Sequence, residues 1–296
     1  MVTKITNFII FLTVFLNSDI INAQNEQEYL GVIKLNDSSL ISYNLNLIEN
    51  KGNISGYSIT DIGGNHETKS NVIGTYNTKT NHLFFKEVGI IYTKSEVLDY
   101  DFCYIYFDGK VTNINSKNNI YGKFNGKYND ESTCINGEIA LKSIQKITKK
   151  AKKVDNIIRK YKKIDKKITS EISVIKTLDS LKMNVLKASE NLSMFTTSES
   201  LKLRIYDAGK VDGDKITIFS NDTILLKNYT VSKKIKLLTI PLKSKKTTIT
   251  VHALNIGSIS PNTTKIEVID NHNTVNILTS LKKEEKTSIT IIKKDE

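Results

Sequence analysis

The sequence predicts a mainly β protein in three parts: an eight-stranded antiparallel barrel, a long basic helix or helix pair, and a C-terminal β-sandwich. Three observations carry this. Short runs of apolar–polar alternation, separated by turn residues, fill residues 29–142. From Glu138 through Ala208 there is no Gly and no Pro, and apolar residues recur at helical spacing. Alternation then returns from about residue 200 to the end.

The first residues, MVTKITNFIIFLTVFLNSDIINAQ, have the layout of a secretory signal peptide. Lys4 gives a positive start, Phe8–Leu16 is apolar apart from Thr13, and Ala23 is a small residue at the expected cleavage point. Residues 1–23 are thus read as a leader and 24–141 as the barrel domain. The apolar run is too short to span a bilayer, and no later segment is apolar enough, so no transmembrane segment is expected after cleavage. The expected location is secreted, periplasmic or cell-surface associated. Cys103 and Cys134 are the only cysteines. In an exported chain they are expected to form a disulfide, closing a loop of about 30 residues and stabilising by roughly 3 kcal/mol. Two cysteines and four scattered histidines do not suggest a zinc site.

The predicted barrel strands are Tyr29–Leu35, Leu40–Glu49, Ile54–Thr60, Ser70–Tyr76, His82–Glu87, Phe102–Val111, Ile120–Tyr128 and Cys134–Leu141. Turn signals such as Glu49-Asn50-Lys51-Gly52 and Gly63-Gly64-Asn65 separate them. Strand glycines lie near aromatics at Gly56-Tyr57, Gly74-Thr75-Tyr76, Gly122-Lys123-Phe124 and Gly126-Lys127-Tyr128. Glycine weakens a strand interior, so its recurrence marks the bends of a tightly curved sheet. In pattern this segment resembles small up-and-down barrels of the avidin or lipocalin kind. That resemblance implies a ligand cavity at one mouth; biotin is not implied, because the avidin pocket leans on tryptophan and this chain has none. The longest turn, Asp61–Lys69, would border the mouth, with His66 and Glu67 as candidate ligand contacts. The alternative is an interior filled by side chains, with His66 and Glu67 a solvated pair.

Residues 142–195 read as a basic amphipathic helical linker. One apolar row runs Ile147, Val154, Tyr161, Ile168 and Ile175; a second runs Ile157, Ile164, Leu178, Val185 and Leu192. Unbroken, the helix would reach roughly 80 Å at about 1.5 Å per residue. Between Lys142 and Lys187 there are 15 Lys and Arg against 4 Asp and Glu, a net of +11, while the whole chain carries +12. The basic charge is therefore confined to this segment. It could attach to an anionic glycan or envelope polymer through Lys149, Lys150, Lys152, Lys153, Arg159, Lys160, Lys162, Lys163, Lys166 and Lys167. It could equally be a solvated coiled-coil or docking helix, through which the chain oligomerises. The export signal disfavours cytosolic nucleic acid as a partner.

Residues 196–296 carry about eight short predicted strands, implying the sandwich. Between two of them lies YDAGKVDGDKITIF, where Asp207, Asp212 and Asp214 crowd around two glycines. An EF-hand fails here: with Gly213 at position 6, Ala208 and Lys210 fall where oxygen ligands belong. A looser calcium site and a plain Asp-Gly turn both remain open. The Asp212-Gly213-Asp214 element, with Ala253, Asn255, Gly257 and Pro261-Asn262-Thr263, resembles a C-terminal module of exported bacterial proteins of unassigned activity. The resemblance implies an extracytoplasmic β module for binding or structure, and no reaction. Here Ser260 stands where that module often has a first proline.

No nucleophile elbow, phosphate-cradling glycine loop or His-Glu-x-x-His helix occurs. The expected function is a non-catalytic secreted or envelope-associated binding or structural protein, with calcium as the one cofactor that the aspartates could take. A small-ligand carrier using the barrel cavity is the first alternative, and a hydrolase with dispersed carboxylates the second.

Overall fold

The computed structural model of the chain describes residues 26–96, 101–111, 114, 119–160 and 184–294. Residues 1–23, expected from the sequence to be a leader, lie outside these residues.

Eight strands form the predicted barrel: β1 (Glu26–Leu35), β2 (Leu40–Asn50), β3 (Asn53–Thr60), β4 (Thr68–Asn77), β5 (His82–Thr93), β6 (Tyr104–Lys110), β7 (Ile120–Lys127) and β8 (Thr133–Ser143). Each pairs antiparallel with the next, and β1 pairs with β8 to close the ring. Closure removes sheet edges, which is how short hairpin-joined strands avoid exposing unpaired backbone. Alternation puts Leu45 and Leu47 inside with Tyr29, Tyr43, Phe85 and Phe107. Gly74 shows why bends need glycine: a Cβ there would sit 2.0 Å from the carbonyl oxygen of Phe84 on the neighbouring strand. The Cys103–Cys134 disulfide forms as expected, with Cα atoms 6.0 Å apart, and ties the approach to β6 to the start of β8.

A single described helix follows, α1 (Ile144–Lys160). It packs against β1 and β8, burying Ala151 and Asp155. Val154 and Ile157, read from the sequence as its apolar rows, are exposed.

The rest of the described chain is β: β9 (Asn184–Leu186), β10 (Asn191–Thr196), β11 (Ser200–Tyr206), β12 (Lys215–Ser220), β13 (Thr223–Thr230), β14 (Lys236–Pro241), β15 (Lys246–Ala253), β16 (Asn262–Ile269), β17 (Thr274–Leu281) and β18 (Lys286–Lys293). The first two correct the helical reading of residues 184–195. Val185 and Leu192 continue the apolar rows by spacing alone; in space they belong to strands. β9 pairs in parallel with β17, and β10 in parallel with β18. A parallel pairing is made by chain far away in sequence, so local periodicity carries no trace of it.

β10 also pairs with the end of β5, through Ser193 with Thr93 and Met194 with Tyr92. The barrel wall therefore runs on without a break into β10-β18-β15-β12-β13, giving thirteen hydrogen-bonded strands. A second sheet has the order β14-β11-β16-β17-β9. Both contribute to one hydrophobic cluster: Ile216, Val251 and Ile289 come from the first, and Leu203, Ile266 and Ile277 from the second.

Candidate functional site

The barrel interior is divided along its length. At one end Val111 and Ile114, which follow β6, are buried, Ile114 fully. The Tyr29 hydroxyl donates to the Ile114 carbonyl at 2.8 Å. The Tyr76 hydroxyl donates to the Val111 carbonyl at 3.1 Å and accepts from the Ile114 N–H at 3.3 Å. Burial pushes the Tyr29 phenol up to about 12, with Tyr76 adding to the effect, so it serves only as a neutral donor. Leu83, Phe85 and Phe107 fill the space behind, with the two phenyl rings stacked at 5.2 Å.

The other end is open, and on three adjacent strands the inward positions change from apolar to polar toward it. On β3 the order is Ile54, Gly56, Ser58, Thr60. On β4, read toward the opening, it is Val72, Ser70, Thr68. On β5 it is Leu83, Phe85, Glu87. A cavity of about 320 Å³ lies here. One wall carries Thr60, Thr68, Ser70 and Glu87; the opposite wall is apolar, with Ile33, Leu35, Ile41 and Ile135. The lip carries Asp61, His66, Ser95 and Asp101. The side chains are thus sorted into an apolar half and a hydrogen-bonding half, as in small-molecule sites.

Glu87 sits at the base of the polar wall, 5% exposed. Its Oε1 accepts from the Tyr43 hydroxyl at 2.9 Å and the Ser58 hydroxyl at 2.5 Å; its Oε2 accepts from the Ile105 N–H at 2.8 Å. The last of these follows from a break in the ladder. β5 carries extra residues opposite β4 between Glu87 and Tyr92, with Gly89 at φ 72° inside the bulge. Its pairing with β6 ends at Lys86–Tyr106, and beyond the bulge β5 turns to β10 instead. The next β6 residue, Ile105, has no β5 partner, and its amide takes the carboxylate. Burial raises the Glu87 pKa above the ordinary carboxylate range, and the three donors oppose that rise. They occupy about three of the roughly four acceptor sites of a carboxylate.

The residues expected from the sequence are distributed as follows. His66 stands on the lip, exposed, with Nδ1 3.2 Å from the Ser95 hydroxyl. Glu67 faces away from the cavity: it is 3% exposed, and its carboxylate accepts from the Tyr92 hydroxyl at 2.8 Å and from the Gly63 N–H at 2.5 Å. Neighbours on an extended chain point to opposite sides, so one lines the cavity and the other braces the turn. Glu87 and the hydroxyl wall were missed. Their signal was in the sequence: polar residues at the inward phase of three consecutive strands.

Lys149, Lys150, Lys152 and Lys153 are exposed on α1. Arg159 and Lys160 end that helix, and Lys162, Lys163, Lys166 and Lys167 lie outside the described residues. Among the described residues, no helix is long and apolar enough to cross a membrane.

The three aspartates each hold a backbone amide. Asp207 accepts from Gly209 at 2.6 Å, Asp212 from Ile259 at 2.9 Å and Asp214 from Thr263 at 2.8 Å. The Asp-Gly-Asp turn and the Pro-Asn-Thr loop, about 50 residues apart in sequence, are thereby joined. Burial raises Asp214 to about 6, with Asp212 and Asp207 adding to the rise. Its Oδ1 and the Oδ1 of Asn262 are buried without a hydrogen-bond partner. Among the described residues, no three His, Cys, Asp or Glu side chains are arranged to hold a metal ion.

Compared with known proteins, the chain matches no family model, no curated relative and no solved structure.

Proposed function

We propose that this chain is an exported, non-catalytic binding protein that holds a small amphipathic molecule in the open half of its barrel. The observation that carries the reading is the sorted cavity: aliphatic on one wall, hydroxyl and carboxyl on the other, with buried Glu87 at its base. Asp61, Glu87 and Asp101 face a single His66 there, so the preferred polar group is a hydrogen-bond donor such as an ammonium or hydroxyl. The disulfide is compatible with an extracytoplasmic location.

The test is titration of the mature protein with a dansyl-labelled long-chain alkylamine, and with the matching dansyl fatty acid as a comparison. Wild type should bind the amine more tightly than the acid. Ser70→Phe, which fills the cavity, and Glu87→Leu, which removes the carboxylate, should each weaken the amine by about tenfold or more, roughly 1.4 kcal/mol. Equal affinity in wild type and both folded variants would overturn the reading.

Two structural readings go with it. The two sheets beyond α1 are read as the layers of a β-sandwich, supported by the hydrophobic cluster they share. The basic segment is read as one helix or a helix pair beyond Lys160, supported by the apolar row Ile147, Val154, Tyr161, Ile168 and Ile175, although Lys150 and Glu171 interrupt the second row. The exposed lysines of α1 favour a second binding mode, attachment to an anionic polymer. Equal heparin retention with and without the charge reversals Lys149→Glu, Lys150→Glu, Lys152→Glu and Lys153→Glu would remove it.

A further inference from the structure

A second cavity, of about 430 Å³, lies on the outside of the barrel, where β1–β5 face the start of α1, β9 and the beginning of β17. Its volume falls within the roughly 300–1,000 Å³ of small-molecule sites. Asn44 and Asn46 show that it is covered on its inner wall. They lie at the outward phase of β2, between inward-facing Tyr43, Leu45 and Leu47, yet they are only 7% and 3% exposed. Outward residues of a barrel are buried only when something covers them.

The lining is built of hydrogen-bonding groups in matched pairs. The Asn44 amide donates to Glu28 Oε1 at 3.0 Å, and the Asn46 amide donates to Glu26 Oε1 at 2.5 Å. The Lys69 ammonium lies 3.7 Å from the centre of the Tyr57 ring. Leu30, Ile59 and Ile144 supply apolar surface between these groups. Gln145 and Asn276 add two more carboxamides at the rim.

Asn184 is the residue that points to a ligand. It lines this cavity and is 4% exposed; its amide oxygen has no hydrogen-bond partner, and its amide nitrogen has only a loose approach to the Tyr92 hydroxyl. The nearby Tyr92 hydroxyl already donates to Glu67. A buried carboxamide normally has its hydrogen bonds made, so an acceptor left open on the cavity wall points to a partner outside the protein. An amide pole, carboxylates held by other amides, and scattered aliphatic surface suit a molecule whose groups both donate and accept at short spacing. Adjacent sugar hydroxyls do this. With Glu26 and Glu28 against Lys69, the lining does not suit an anion.

We infer that this cleft between the barrel wall and the C-terminal sheets binds a neutral saccharide unit, with Asn184 reading its hydroxyls. This site is separate from the barrel mouth and does not rest on the reading given for it. The experiment uses the mature chain and saturation-transfer NMR with a panel of glucose, galactose, mannose, N-acetylglucosamine, maltose and cellobiose, followed by calorimetric titration of any responder. At least one should bind wild type. Asn184→Leu should weaken it by about tenfold or more. Because the amide oxygen has no protein partner and the nitrogen only a loose one, that variant's melting temperature should stay close to wild type. Lys69→Met, which keeps the stem over Tyr57, should also weaken binding. No response from the whole panel, or binding unchanged in both folded variants, would overturn the inference and leave a solvent-filled cleft.

Discussion

The two ends of the barrel are made from the same strands and behave as different materials. At the closed end, inward residues are large and apolar, Ile114 is buried among them, and two tyrosine hydroxyls pin it in place. At the open end the same strands carry Ser, Thr and Glu inward, a bulge at Gly89 parts β5 from β6, and a cavity remains. The lesson is a division of labour. A ring of eight strands is narrow enough for side chains to fill. Filling half of it supplies a core, and the other half is then free to be polar and hollow.

Three substitutions test that division. The largest effect belongs to the closed half. Phe85→Ala removes a fully buried ring stacked on Phe107 and should destabilise by about 3–5 kcal/mol in urea unfolding. Affinity for the dansyl alkylamine, measured on the folded fraction, should be unchanged. Loss of both together would show that the two halves are not separable. Next comes the open end. Replacing Cys103 and Cys134 by serine removes the tie beneath the lip and should cost roughly 3 kcal/mol. Here alkylamine binding should weaken as well, since Cys103 lines the cavity.

The smallest effect lies outside the barrel and is seen only with pH. Asp214 is raised from 3.8 to about 6 by burial, so the folded chain holds this proton more tightly than the unfolded chain. That contribution is full below about pH 4 and is lost as pH rises through about 6. Asp214→Asn removes the loss. Its melting temperature should exceed wild type by a few degrees near pH 7, about 1–2 kcal/mol, and converge with it near pH 4. A calcium-induced rise in wild type, abolished by the variant, would instead make Asp207, Asp212 and Asp214 a metal site.

Much of the barrel was legible in the sequence. Each of its strands was placed by alternation and turn residues, with ends differing by a few positions; β5, which runs six residues further than expected, differs most. The disulfide followed from there being only two cysteines. The site was legible in part. The turn containing His66 does border the cavity, but Glu67 faces away from it. Glu87 stood at the last position of a predicted strand, where an inward carboxylate is easily read as a strand end. Its environment depends on Tyr43, Ser58 and Ile105, brought in from three other strands. The reading of residues 184–195 as helix shows the opposite hazard: Val185 and Leu192 are seven residues apart, and nothing local distinguishes that interval from a heptad.

Composition and local periodicity determined, by themselves, that this protein is mainly β, where its barrel strands run, where its basic charge is gathered and that its cysteines pair. The strands depend on residues within a few positions of one another, and the charge and the cysteine pairing on counts alone. Tertiary structure alone decided that β9 and β10 are strands, that the barrel wall continues into the C-terminal sheet, and that Glu87 and Asn184 line cavities. These depend on partners as much as about 100 residues away, β10 on β18 among them. Such contacts form only when the whole chain has found its pairings, and no short window of sequence contains them.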